Sequence, residues 1–270
     1  MAHREENRST ALVTGASSGI GLELSRTLAS ERFDLVLVAR RAEQLEALAS
    51  ELRRRHAVDV LVIPTDLARR SAATDVHRTV TAAGYEVEVL VNNAGFATYG
   101  AFHQAELSRE LAMIEVNVAA LVELTHLFLP AMVDRGFGRI MNVASTAAFQ
   151  PGPLMAGYFA TKAFVLHFSE AVAAELEGTG VTVTALCPGP TETAFQPRAG
   201  MEQARLLRYG TMSAREVAKF GYRALLAGKR VAVPGIANRL GTLAPRLLPR
   251  SLLTRIVRHL QAPVTDTDKS

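Results

Sequence analysis

Ala11-Leu12-Val13-Thr14-Gly15-Ala16-Ser17-Ser18-Gly19-Ile20-Gly21 reads, in order, as a buried strand, a glycine turn and the opening of a helix. Ile20, Leu24 and Leu28 then recur at helical spacing. Glycines let backbone come close to a pyrophosphate, and a helix N-terminus offers free N–H groups and the positive end of its dipole. The spacing is G-x-x-x-G-x-G, and the strand–turn–helix context is what gives it meaning as a nucleotide site. Gly15, Ser17, Ser18, Gly19, Ile20 and Gly21 are therefore candidate cofactor-binding residues.

Outward from this turn the pattern repeats. Short apolar strands are expected within residues 9–15 and at 35–39, 60–63, 89–91, 139–143, 181–186 and 231–233. Amphipathic helices are expected at 42–55, 71–83, 107–135, 157–177 and 214–226, with Pro130 kinking or shortening the long one. Residues 194–212 show no clean periodicity. Strands alternating with helices argue for an α/β fold, a parallel sheet covered on both faces. In such sheets ligands bind outside the carboxyl ends of the strands. Those ends carry the unusual residues: the glycine turn, Asn92-Asn93-Ala94-Gly95, Ala144-Ser145, and Cys187-Pro188-Gly189.

Composition bounds the rest. The 270 residues are 49% hydrophobic and 21% charged, with net charge +4, which suits one soluble globular domain. A single cysteine, Cys187, excludes an internal disulfide framework and fits a reducing cytoplasm. No uninterrupted apolar run approaches the roughly 18 residues that cross a bilayer. Residues 1–8 are polar and lack the apolar centre of a signal peptide. The seven histidines are scattered without metal-ligand spacing, so no metal is expected. Arginines alternate with acids through most of the chain and no aromatic platform accompanies them, which argues against nucleic acid.

The chemistry concentrates near Tyr158-Phe159-Ala160-Thr161-Lys162. On a helix, positions four apart share a face, so phenol and ammonium point the same way. A phenol has a pKa of about 10, and a neighbouring cation should pull it toward the working range. Ser145, at a strand end, can hold a carbonyl oxygen while the phenol protonates it. Asn117 is an odd residue for the middle of a helix.

Together, Thr14–Gly21, Asp66, Asn92-Asn-Ala-Gly95, Asn117, Ser145, Tyr158-x-x-x-Lys162 and Pro188-Gly-x-x-x-Thr193 resemble the short-chain dehydrogenase/reductase family over roughly residues 9–235. The resemblance implies a single Rossmann-type domain, a doubly wound parallel sheet of about seven strands. It implies Tyr158 as general acid/base, Ser145 positioning the substrate oxygen, and Lys162 lowering the tyrosine's pKa and binding the nicotinamide ribose. Asn117 would join a water-linked proton path. Asp66 and Leu67 would contact the adenine, Asn93, Ala94 and Gly95 would line the adenosine side, and Pro188, Gly189, Thr191 and Thr193 would hold the nicotinamide end. It also implies a homodimer or homotetramer, paired through the helices at 107–135 and 157–177. The expected activity is hydride transfer between the nicotinamide and a carbonyl or alcohol substrate. The competing reading is a non-catalytic dinucleotide-binding sensor or scaffold, which would need no proton relay.

Cofactor choice is read at the end of the second strand, where an NAD site places a carboxylate on the ribose hydroxyls. Here Ala39 stands there, followed by Arg40 and Arg41, and Arg40 can clamp a 2′-phosphate, so NADP is expected. Residues 236–261 form a basic amphipathic segment and 262–270 a polar tail. The segment either docks over the substrate cleft or lies on an anionic membrane as a peripheral contact. Its apolar face suggests a fairly hydrophobic substrate.

Overall fold

The computed structural model describes residues 9–201, 204–206 and 210–263. The N-terminal tail and residues 264–270 of the expected polar tail lie outside the described residues. The chain runs β1 (Thr10–Thr14), α1 (Gly19–Ser30), β2 (Asp34–Ala39), α2 (Ala42–His56), β3 (Val60–Pro64), α3 (Ala72–Ala82) and β4 (Val87–Asn92). Next come α4 (Leu107–Ile114), α5 (Ala120–Asp134), β5 (Gly138–Val143), α6 (Ala156–Glu175) and β6 (Val181–Leu186). Then follow β7 (Thr191–Glu192), α7 (Phe195–Ala199), β8 (Met212–Ser213), α8 (Ala214–Leu226) and β9 (Val231–Ala232). Three helices close the chain: α9 (Ile236–Gly241), α10 (Ala244–Leu247) and α11 (Arg250–Gln261).

Seven parallel strands make one sheet in the order β3-β2-β1-β4-β5-β6-β9. Successive side chains of a strand face opposite sides. On β1, Ala11 and Val13 pack with Leu24 and Leu28 of α1, Leu45 of α2 and Val217 of α8. Leu12, between them, packs with Val76 of α3, Leu124 of α5 and Ala173 of α6 on the other face. Both faces are thus covered, which explains strands that are apolar throughout rather than alternating. The strand order reverses between β1 and β4, the switch point where open α/β sheets open a crevice.

The expected long helix is not shortened at its proline. Leu107–Asp134 runs continuously, and its irregularity is a five-residue π-helical turn at Glu115–Ala119 rather than a break at Pro130. Pro130 lies on the exposed side of α5, and the helix continues through it to Asp134. The 28-residue helix is also long and apolar enough to cross a bilayer by length and composition. Uninterrupted apolar runs miss it because Glu115, Glu123 and His126 punctuate the sequence. Here the helix packs along α3, β4 and β5 as part of the sheet's cover.

Candidate active site

The first wall of the cleft is the glycine turn. Gly15 and Gly19 have φ of +67° and +57°, a region costly for a residue with a Cβ. A Cβ on Gly15 would come 2.7 Å from Asn93 Nδ2 and 2.9 Å from Ala94 Cα. The turn is fastened to the end of β4 by partly buried hydrogen bonds. Asn93 N and Ala94 N each donate to Thr14 Oγ1 at 3.0 Å, and Asn93 Nδ2 donates to the Thr14 carbonyl at 2.8 Å. Ser18, at the N-cap of α1, does not cap it with its side chain. The first-turn amides of α1 are left for a ligand.

At the outer end, Arg40 is exposed and Arg41 reaches back over the turn. Arg41 Nη2 donates to Ser17 O at 3.2 Å and to Ser17 Oγ at 3.1 Å. The expected clamp for a 2′-phosphate is Arg40, with Arg41 next to it in the chain. Both line the cavity. Asp66 forms a tight turn after β3, its Oδ1 accepting from Ala68 N at 3.0 Å.

At the inner end, β5 delivers Ser145 and α6 delivers Tyr158 and Lys162. Ser145 Oγ accepts from Ala147 N at 3.1 Å and donates to Pro188 O at 3.4 Å, which fixes its lone pairs. Lys162 Nζ donates to the Val143 carbonyl at 2.7 Å. Burial pushes Tyr158 up to about 12, partly offset by Ser145. Burial likewise pulls Lys162 down to about 8. The phenol is thus raised rather than lowered as expected: burial dominates, and the Lys162 ammonium is held on the Val143 carbonyl of β5.

Asn117 sits in the π turn, a device common at functional sites. Its Oδ1 accepts from Phe96 N at 3.1 Å, and its Nδ2 donates to Phe96 O at 3.0 Å and Thr161 Oγ1 at 3.1 Å. A Cβ on Gly95 would come 2.9 Å from Asn117 Oδ1 and 3.5 Å from Lys162 Nζ. Asn117 and Lys162 thus both crowd the space where a side chain on Gly95 would go. After β6, Thr191 Oγ1 donates to Gly189 O at 2.9 Å, and Thr193 abuts Gly19 across the cleft.

These walls enclose one continuous cavity of about 540 Å³, from Arg40 and Asp66 past Gly15 and Gly95 to Ser145, Tyr158 and Lys162. Ser17, Ser18, Gly19, Ile20, Leu67, Asn93, Ala94, Pro188, Gly189, Thr191 and Thr193 all line it. Gly21 and Asn117 stand behind the lining. A Cβ on Gly21 would run into Asn93 Nδ2 and lie 2.5 Å from Gly15 O, so its smallness serves the packing of α1 under the turn. Asn238, which spacing rules miss, crowds Gly189 and lines the cavity, its Nδ2 donating to Pro234 O at 2.8 Å. Phe96, Met155, Phe159, Phe195, Leu253 and Val257 give the inner end an apolar wall. The arrangement can hold a phosphate-rich dinucleotide along one side and protonate an oxygen at its inner end.

A family model described as short chain dehydrogenase matches residues 9–204. A sulfoacetaldehyde reductase of Chromohalobacter salexigens is 42% identical over 196 residues, 71% of this chain and 76% of that protein. Among solved structures, a short-chain dehydrogenase from Sphingobium yanoikuyae in complex with NADPH superposes with a TM-score of 0.80 at 33% identity, covering 96% of this chain and 99% of that one. The bulky-bulky ketone specific alcohol dehydrogenase from Comamonas testosteroni superposes at 0.76 with 30% identity, covering 97% and 98%.

Proposed function

The chain belongs to the short chain dehydrogenase family, and from that premise we propose that it is an NADP(H)-dependent oxidoreductase interconverting a carbonyl and an alcohol on a fairly hydrophobic substrate. The observation that carries this reading is one cavity with arginines at its outer end and Ser145, Tyr158 and Lys162 at its inner end. The residues fit the dinucleotide. Backbone at Gly15 and Ser17–Ile20 cradles the pyrophosphate, Asp66, Leu67 and Asn93–Gly95 border the adenosine, and Arg40 with Arg41 takes the 2′-phosphate. Lys162 holds the nicotinamide ribose, and Pro188, Gly189, Thr191 and Thr193 hold the nicotinamide end. When bound, the nicotinamide supplies or accepts the hydride.

The proton work belongs to the chain. Ser145, oriented by Ala147 N–H, donates to the substrate oxygen and fixes its position. Tyr158 stays protonated at neutral pH and gives its proton to that oxygen in reduction, taking it back in oxidation. Lys162 keeps positive charge beside the site where negative charge develops on oxygen. Asn117 acts on this set from behind, holding the Phe96 backbone and Gly95 against Lys162.

The apolar inner wall supports a bulky substrate. The likeness to the bulky-ketone enzyme spans 97% of the chain, too much to omit the three C-terminal helices. Likeness to the sulfoacetaldehyde reductase spans 71% and carries less about that wall. The enzyme acts on a small molecule and assembles as an oligomer, a dimer or tetramer built through the α4–α5 helix and α6, and it works in the cytoplasm. Comparing NADPH-dependent turnover of a bulky aryl ketone with that of a small anionic aldehyde tests the substrate class. A kcat/KM at least about tenfold higher for the ketone is expected, and the reverse order would refute it.

A further inference from the structure

Helices α9, α10 and α11 turn one side to the cleft and leave another bare. Leu253 and Val257 are buried beside Tyr158 and Phe159, and Leu248, Ile256 and Leu260 line the cavity. On the outer side, Ile236 is 79% exposed, Leu240 63% and Leu247 82%, with Leu243 and Leu252 also open. Ile236, Leu240 and Leu243 are spaced at i, i+4 and i+7, one stripe. Arg239 of α9 and Arg250, Arg255 and Arg258 of α11 are exposed as well. The sequence carries no Asp or Glu from residue 217 to residue 265. We propose that this outer face docks on an anionic lipid bilayer, lying in the interface with its leucines inserted and its arginines at the head groups.

Charge decides between occupants. A twofold contact of this face with itself would set arginines against arginines with no acid to answer them. An anionic bilayer complements both the charge and the apolar stripe. The prolines at 245 and 249 divide the segment into helices of 6, 4 and 12 residues, which can lie on a bilayer but not cross it. Ile256 is both 40% exposed and part of the cavity lining, so the docked face adjoins the substrate chamber. An apolar substrate dissolved in the bilayer would enter from that side. This last step rests on the proposed carbonyl chemistry, whereas the docking surface stands without it.

The test is flotation of the full-length protein with vesicles of equal parts phosphatidylglycerol and phosphatidylcholine, against phosphatidylcholine alone. The native protein should float with the anionic vesicles and lose binding as salt rises. Leu240→Gln with Leu247→Gln, both exposed and outside the cavity lining, should weaken binding by about tenfold or more. Arg239→Gln with Arg250→Gln should abolish the preference for anionic lipid. NADPH affinity, measured in parallel, should be unchanged in both variants. Failure of the native protein to float, or variants that float equally well, would overturn the proposal. So would a leucine variant whose light-scattering mass drops, because the face would then belong to a contact between copies.

Discussion

Lys162 Nζ lies 5.8 Å from the centre of the Tyr158 ring while donating to the Val143 carbonyl at 2.7 Å. The cation is anchored on the sheet rather than on the phenol, so the two share an environment more than a bond. Burial depresses the lysine from 10.5 to about 8. A depressed folded-state pKa gives stability that is present above the unfolded value and lost as pH falls through the folded one. The native, cofactor-free protein should therefore gain stability relative to Lys162→Met as pH rises from about 8 to 10.5, by on the order of 3 kcal/mol when complete. Tyr158 titrates in both proteins and cancels from the difference. Denaturant titrations across that range check this, and a constant difference would contradict it.

Arg40 and Arg41 should separate by cofactor. Arg40→Ala should weaken NADPH by roughly 10- to 150-fold, the worth of a charge-assisted contact of about 1.5–3 kcal/mol, and leave NADH nearly unchanged. Arg41 also holds Ser17, so Arg41→Ala should weaken both cofactors. Fluorescence titrations with each nucleotide decide it; Arg40→Ala with its preference for NADPH intact would refute the assignment.

Gly21→Ala should damage folding before chemistry. The new Cβ would press on Asn93 Nδ2 and Gly15 O, and such overpacking costs about 1–3 kcal/mol. A lower melting temperature together with weaker NADPH binding is expected. An unaltered melting temperature would show that α1 can retreat without cost.

Leu107, Leu111 and Ile114 make an exposed stripe on α4, and Phe164 stands open on α6, stacked on Phe168. If the oligomer forms there, Leu111→Glu should lower the mass seen by light scattering at micromolar concentration. A mass equal to that of the native protein would place the interface elsewhere.

Much of this was legible in the chain because strands buried on both faces must be apolar and their ends must turn at glycine or asparagine. The seven sheet strands, α2 and α8 follow that logic closely. Less legible was what depends on three-dimensional company. Pro130 is exposed and does not end α5, whereas the π turn holds Asn117, whose hydrogen bonds reach Phe96, a partner 21 residues away. β7 and β8 pair over only two residues each, too short for any periodicity. Nothing local in the sequence reveals the reach of Arg41 to Ser17, 24 residues away. The rise of Tyr158 is hidden for the same reason: spacing shows a neighbouring cation but not the depth of burial.

The most direct test of the whole account is NADPH oxidation, followed by absorbance of the reduced nicotinamide, with a panel of apolar ketones on the native protein and on Tyr158→Phe. The native protein should turn over with NADPH in preference to NADH. Tyr158→Phe should bind NADPH normally yet lose turnover by about 10²–10⁴-fold, the loss expected for a general acid. A Tyr158→Phe protein with near-native turnover would contradict the central claim.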